Sequence, residues 1–121
     1  MYGNWEPGKR MEQDRYAWLE SQISTLKRLP DVTGAWGPGR PSDAVLKVAR
    51  SLAETSWHDK LPLPSLIATG DRGVHVKWVC GARQVSAFIF PDKSVEYLSV
   101  EKGRPVSEEG LISDLLEWLV R

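Results

Sequence analysis

Cysteine is nearly absent from this chain of 121 residues, in which Cys80 is the only one. A single cysteine excludes an intramolecular disulfide and a zinc site built from several cysteines. A surplus of charge of either sign is missing too, because 16 basic residues balance 16 acidic ones. No global field therefore attracts nucleic acid or an anionic membrane, so a partner of either kind would need a local charged patch.

Long apolar stretches are also missing. No run of 18 apolar residues occurs, and the first residues lack the apolar run and the small-residue cleavage site of a secretory signal. We therefore expect a cytoplasmic protein. The hydrophobic fraction of 41% and the charged fraction of 26% are those of an ordinary globular chain. We expect residues 1–121 to form a single domain.

Residues 65–100 hold the pattern around which the rest of the chain is organised: four short apolar runs separated by turn-forming residues. This pattern predicts an antiparallel meander of four strands. The second run alternates in hydropathy, so one of its faces should be buried while the other, with His75 and Lys77, should be polar. The residues predicted for the buried face are Val74, Val76, Trp78 and Cys80.

Helical periodicity is found on both sides of this region. The predicted fold is therefore α+β, a four-stranded antiparallel meander packed by two or three helices. Ser42 and Ser107 have the side chain of an N-cap for the second and third helix. The predicted helices cover residues 9–29, 42–57 and 107–121, after an aromatic N-terminal segment at residues 1–8.

The first and third predicted helices differ in how much of their surface is apolar. The third is apolar over more than half of its circumference, so we expect it to be covered on two sides, by the sheet and either a helix or another molecule. The first is amphipathic, and Arg15 falls on its polar side. Its predicted buried stripe contains Tyr16, Leu19, Ile23 and Leu26.

The two histidines are the first candidates for chemistry. His58 follows the second helix and His75 lies in the second strand, and neither has a second histidine at the spacing of a metal-binding pair such as HxxxH. Neither a GxSxG elbow nor a GxxxxGK[ST] phosphate loop occurs. We therefore predict no catalytic residue, no cofactor site and no metal site. The alternative is a small hydrolase or nuclease that uses His58 or His75 in a cleft.

Six tryptophans are many for this length, and tryptophan serves mostly as an anchor in cores or in interfaces. Together with the apolar third helix, they favour a non-enzymatic interaction module. It would bind a partner protein or a second copy of the chain. The candidate partner-binding residues are Trp5, Trp18, Trp36, Arg40, Trp118, His75 and Lys77.

A second alternative is a nucleic-acid-binding domain. It would use Arg72, Lys77 and Arg83 as a basic sheet face, and RNA-binding sheets of this kind also carry aromatic side chains on that face. Phe88 or Phe90 would be the aromatics of this alternative, but the sequence does not place either on the face of His75 in a predictable register. We therefore favour the interpretation that these residues belong to a solvated polar face of the sheet.

Four stretches of the chain resemble a known group of proteins. They are residues 34–41 (GAWGPGRP), 62–65 (PLPS), 71–78 (DRGVHVKW) and 95–98 (VEYL). In this order they resemble a loosely defined family of small, uncharacterised bacterial and phage proteins that read GWDGYGAxP, then a helix, then DGxIxLEW and a final EY. The resemblance covers residues 33–98 and implies the architecture and a bacterial or phage setting, such as an antitoxin-like role or a place in a defence or phage operon. It implies no catalytic residue.

Overall fold

A computed structural model of the protein describes residues 7–30, 39–55, 61–107 and 112–121. The strands in these ranges form one sheet, in which each strand pairs antiparallel with its neighbour in sequence. The predicted α+β class and the antiparallel meander are confirmed. The elements in chain order are α1 (Pro7–Lys27), α2 (Asp43–Thr55), β1 (Ser65–Ala68), β2 (Val74–Cys80), β3 (Arg83–Ile89), β4 (Val95–Glu101), β5 (Arg104–Ser107) and α3 (Ile112–Leu119).

The described part of the sheet has five strands rather than the four predicted, because β5 follows β4 where the sequence was expected to leave the sheet. Lys102 and Gly103 have φ angles of 53° and 79°, and positive φ at both central residues is the backbone of a two-residue hairpin turn. The chain therefore turns back along β4. Pro105 lacks an N–H to donate but is tolerated in β5, which is an edge strand.

All three described helices pack on one face of the sheet, the inner face. Strand alternation places Trp78, Val85 and Ile89 there, and each is at most 2% exposed. Among the described residues, none of the helices is both long and apolar enough to span a membrane. The helices contribute to the core the buried side chains of Leu19, Ile23, Leu26, Val45, Leu46, Ala49, Ala53, Leu115, Leu116 and Leu119.

The buried stripe of α1 is turned relative to the predicted one. Tyr16 is 51% exposed, whereas Arg15, predicted on the polar side, is only 8% exposed. Because an α-helix turns about 100° per residue, Arg15 lies roughly 40° from Leu19, on the side where Trp18 is packed against the core. Tyr16 lies on the opposite side of Leu19, at the edge of the contact.

The starts of the helices follow from local chemistry. α1 begins at Pro7, two residues earlier than predicted, because the fixed φ of proline and its missing N–H suit the first helical position. α2 begins after Ser42, whose Oγ accepts a hydrogen bond from the backbone N–H of Val45 at 3.2 Å. The N-cap predicted at Ser42 is confirmed. The N-cap predicted at Ser107 is wrong, because Ser107 is the last residue of β5.

Cys80 departs from the burial predicted for its strand. Val74, Val76 and Trp78 are fully buried as expected, but Cys80 is exposed. It is the last residue of β2 and precedes the exposed turn of Gly81 and Ala82. Its alternation is that of the inner face, but its side chain is exposed at the end of the strand, so the predicted core position is wrong.

Candidate functional site

The candidate site is the face of the sheet opposite the helices, the outer face. Alternation along each strand defines it, because the residues between inner-face positions point the other way. Strand pairing arranges these residues in three rows across the sheet. The rows are Ile67, His75, Phe88 and Glu96; Ser65, Lys77, Ser86 and Leu98; and Val79, Gln84 and Val100.

The outer face carries an apolar surface that is separate from the core. Among the described residues, every sheet side chain in the hydrophobic core belongs to the inner face. Phe88, Leu98 and Val100 are half-buried on the other side of the sheet, and Ile67 and Val79 are 47% and 48% exposed. A solvated sheet face is mostly polar, so this mixture is typical of a surface that another molecule covers.

In the first row of the outer face, His75 is fixed by two neighbours. Its Nε2 lies 2.8 Å from Oγ of Ser86, and its ring stacks on Phe88 with a centroid distance of 4.5 Å and an interplanar angle of 20°. Burial of the ring lowers the pKa of His75 below its ordinary value, and repulsion from Lys77 lowers the pKa further. At neutral pH His75 is therefore a neutral, flat side chain held beside Phe88.

The contact of His75 with Ser86 does not form an accessible nucleophile. Ser86 is only 1% exposed, and its Oγ also accepts a hydrogen bond from Nε2 of Gln84 at 3.4 Å. A serine that attacks a substrate has to be reached by it. In the described ranges no group of three or more His, Cys, Asp or Glu side chains could hold a metal ion. His58, the other histidine of the hydrolase alternative, lies outside the described residues.

Two side chains with a formal charge at neutral pH lie within the three rows. Lys77 is half-buried in β2, and Glu96 is exposed in β4. They stand on opposite sides of β3 and in neighbouring rows. The outer face therefore has no net charge of either sign while His75 is neutral, and its charges are separated across the middle strand.

The tryptophans predicted to bind a partner are distributed differently. Trp18 and Trp118 are partly buried and pack against the core. The guanidinium of Arg83 lies 4.9 Å from the ring centroid of Trp118 and occupies one face of that ring. Trp5 and Trp36 lie outside the described residues. The described tryptophans thus contribute to the monomer core, although Trp18 and Trp118 keep part of their surface exposed.

The three basic residues of the nucleic-acid alternative do not share a face. Lys77 lies on the outer face, whereas the alternation of β3 places Arg83 with the inner-face residues, next to Trp118. Arg72 lies in the turn between β1 and β2 and lines an open cleft of about 480 Å³ with Lys27 and Arg40. Arg40, a predicted partner-binding residue, is therefore close to Arg72 and away from the outer face.

The sequence did not single out Ser86, and it offered Phe88 only as an aromatic of the nucleic-acid alternative. Phe88 was not expected on the face of His75, and this expectation is wrong, because the two residues are paired across β2 and β3. The signal was available: a two-residue turn at Gly81 and Ala82 fixes the register of the hairpin, and counting back from it pairs His75 with Phe88. The burial of Ser86 had no comparable signal.

The chain matches no protein-family model, and it matches none of the curated proteins or solved structures with which it was compared. The resemblance of residues 33–98 to bacterial and phage proteins therefore stays a prediction.

Proposed function

We propose that the protein is a non-enzymatic interaction module that binds a partner protein through its outer face. The observation that carries this proposal is the apolar content of a face on which no described helix packs: Ile67 and Val79 are nearly half exposed beside half-buried Phe88 and Leu98. Removing apolar surface from water is favourable by roughly 25 cal/mol per Å². Binding of a partner that covers this face is therefore favoured over leaving the face in contact with water.

The edges of the sheet favour binding through the face. β1 is an edge strand, and the backbone N–H of Leu66 donates to Oε1 of Gln22 in α1 at 3.3 Å. β5 is the other edge strand and contains Pro105, which has no N–H. A partner that added a strand would need free backbone groups along an edge. Each edge therefore has a backbone position at which an added strand could not pair, so the outer face is the more suitable docking surface.

The charges favour a protein partner over nucleic acid. A nucleic-acid interface draws most of its affinity from cations placed against phosphates. On the outer face Lys77 is balanced by Glu96, and Arg72 and Arg83 lie elsewhere. The stacked rings of His75 and Phe88 suit a flat apolar contact of any kind, so nucleic acid is kept as a distinguishable outcome of the experiment below.

The biological setting we propose is that of a bacterial or phage accessory protein in the cytoplasm, with an antitoxin-like role or a role in a defence or phage operon. It is supported by the resemblance of residues 71–78 to the DGxIxLEW pattern. In this chain Asp71, the Asp of that pattern, builds a turn, since its Oδ1 accepts hydrogen bonds from Thr69 Oγ1 and from the N–H of Gly73. The position of the pattern's Gly is held here by Arg72, whose φ of 69° lies in the region that glycine favours.

Site-specific photo-crosslinking in cells of the native host tests the proposal. A photoreactive residue is placed at Ile67 or Val79 on the outer face, and at Ala44 or Ser113 on exposed helix positions as matched controls. We expect covalent adducts to a protein from the first two positions and few from the controls. Equal adducts from all four positions, or none from Ile67 and Val79, would contradict the proposal. Adducts that a nuclease removes would assign the face to nucleic acid.

A further inference from the structure

The two strands beside the middle strand of the outer face carry opposite charges. β3 is the third of the five described strands, with β2 and β4 on either side and β1 and β5 at the edges. On the outer face β2 carries His75 and Lys77, and β4 carries Glu96 and Leu98 in the same two rows. A cation on one side of β3 thus has a carboxylate on the other side.

This arrangement is complementary to itself. Consider a second copy whose outer face meets the first across a two-fold axis that runs along β3. The axis places β2 of one copy opposite β4 of the other. His75 then faces Glu96 of the second copy, and Lys77 lies two residues along the strand from the same carboxylate, about 6.6 Å. Each contact occurs twice, once on each side of the axis, and the one between Lys77 and Glu96 joins opposite charges.

We propose that the occupant of the outer face is a second copy of this chain, packed sheet to sheet around β3, with Lys77 of each copy paired to Glu96 of the other. The inference rests on the proposed function in that the outer face has to be a protein-binding surface. Phe88 lies on β3 and therefore next to the axis, where it meets Phe88 of the second copy. A buried aromatic residue with charge pairs on either side is a usual anchor of a stable contact.

Two further properties favour a second copy. The chain has 16 basic and 16 acidic residues, so two copies have no net charge with which to repel one another at long range. The outer face itself carries balanced charge from Lys77 and Glu96. A different protein that docked on a balanced face would need a pattern matched to it, whereas this chain already carries the matching pattern.

Charge reversal tests the inference, with oligomeric state measured by sedimentation and light scattering. Lys77→Glu places two carboxylates at each contact, and Glu96→Lys places two ammonium groups there. We expect the wild-type chain to be dimeric and each single variant to dissociate at least about tenfold more readily, because like charges then meet twice in the interface. Lys47→Glu, an exposed position on α2, is the matched control and should stay dimeric.

A mixing experiment separates loss of the contact from loss of the fold. When the Lys77→Glu and Glu96→Lys chains are combined, each carboxylate faces an ammonium group at both contacts, so a heterodimer should form from two chains that are monomeric alone. The double variant within one chain should also dimerise with itself. Circular dichroism and the thermal midpoint check that both single variants are folded.

The outcomes distinguish this inference from the proposed function. A wild-type chain that is monomeric throughout, or a dimer that neither reversal weakens, overturns the pairing of two copies. Failure of the mixed variants to associate overturns it as well. If the chain is monomeric but Ile67 and Val79 still crosslink to another protein, the proposed function stands with a different occupant. If neither dimer nor adduct is found, both are overturned.

Discussion

Nε2 of His75 lies 2.8 Å from Oγ of Ser86, and that serine is only 1% exposed although it lies on the sheet face away from the helices. Burying a polar group destabilises the fold unless the group is hydrogen-bonded. His75 and Gln84 satisfy Ser86, and Phe88 stacks on His75. The centre of the outer face is therefore built as an ordered layer.

We expect folding stability to depend on the protonation of His75. Burial, and secondarily Lys77, hold its pKa below the ordinary value of 6.5 in the folded chain, while the unfolded chain keeps the ordinary value. The unfolded state therefore binds more protons as the pH falls. The stability that neutral His75 allows is complete above the ordinary pKa and declines as the pH drops through it toward the folded pKa.

Urea unfolding between neutral and mildly acidic pH, together with an NMR titration of the imidazole, measures this effect. His75→Gln should remove its share of the pH dependence, and Lys77→Gln should raise the pKa of His75 without restoring the ordinary value, since burial is the larger cause. A titration of His75 at or above the ordinary value would show that the ring is not desolvated.

We expect Arg83 to hold α3 on the sheet. Its Nη1 donates a hydrogen bond of 2.8 Å to the carbonyl of Trp118, its guanidinium lies over the Trp118 ring, and its Nε is 3.5 Å from Oε1 of Glu101. Arg83→Ala should lower the free energy of unfolding by about 1–3 kcal/mol, because a partly desolvated cation–π contact and a charged hydrogen bond are lost. Urea denaturation followed by tryptophan fluorescence measures the change.

Two further substitutions show whether the geometry of Arg83 is responsible. Arg83→Lys keeps the charge but loses the planar fork, so it should recover only part of the stability. Arg104→Ala removes an exposed cation from β5 and should change the free energy of unfolding by less than about 0.5 kcal/mol. Equal stability of the wild type and the Arg83→Ala chain would mean that α3 is held by its apolar contacts alone.

Gly73 is needed where the β1–β2 turn meets β3. A Cβ at this position would collide with the carbonyl oxygen of Ile89 and come within 2.8 Å of Thr69 Oγ1. Gly73→Ala should therefore lower the free energy of unfolding by about 1–3 kcal/mol, the usual cost of overpacking. Gly70→Ala is the matched control, because a Cβ there meets nothing within 4 Å. Thermal unfolding of the two variants should differ clearly, and equal midpoints would argue against the close approach.

The sequence predicted the strands of residues 65–100 well because each is short, alternating and bounded by turn residues. The two-residue turn at Gly81 and Ala82 also fixes which residues of β2 and β3 pair. β5 was missed because Lys102, an ordinary lysine, takes a left-handed backbone that its residue type does not signal. The local sequence therefore determines the register of β2 and β3, but it gives no signal for the turn that leads into β5.

The burial of individual side chains could not be predicted from local sequence. Arg15 is buried and Tyr16 is exposed because the contacts of α1 with β1 and α2 decide which edge of its stripe is covered. Ser86 is buried in contact with His75 on the neighbouring strand and with Gln84. Both outcomes depend on contacts with other elements of the fold. The apolar pattern of a single element does not identify these contacts.

The most direct test of the central claim compares two matched variants in the native host, with tagged and untagged chains expressed together. Ile67→Asp with Val79→Asp places two charges on the outer face, and Ala44→Asp with Ser113→Asp places two on exposed helix positions. The measured quantity is the amount of protein retained by the tagged chain, its own untagged copies included. We predict that the first variant loses the retained protein and the second keeps it at the wild-type level. Equal retention by both variants would contradict the assignment of the outer face as the binding surface.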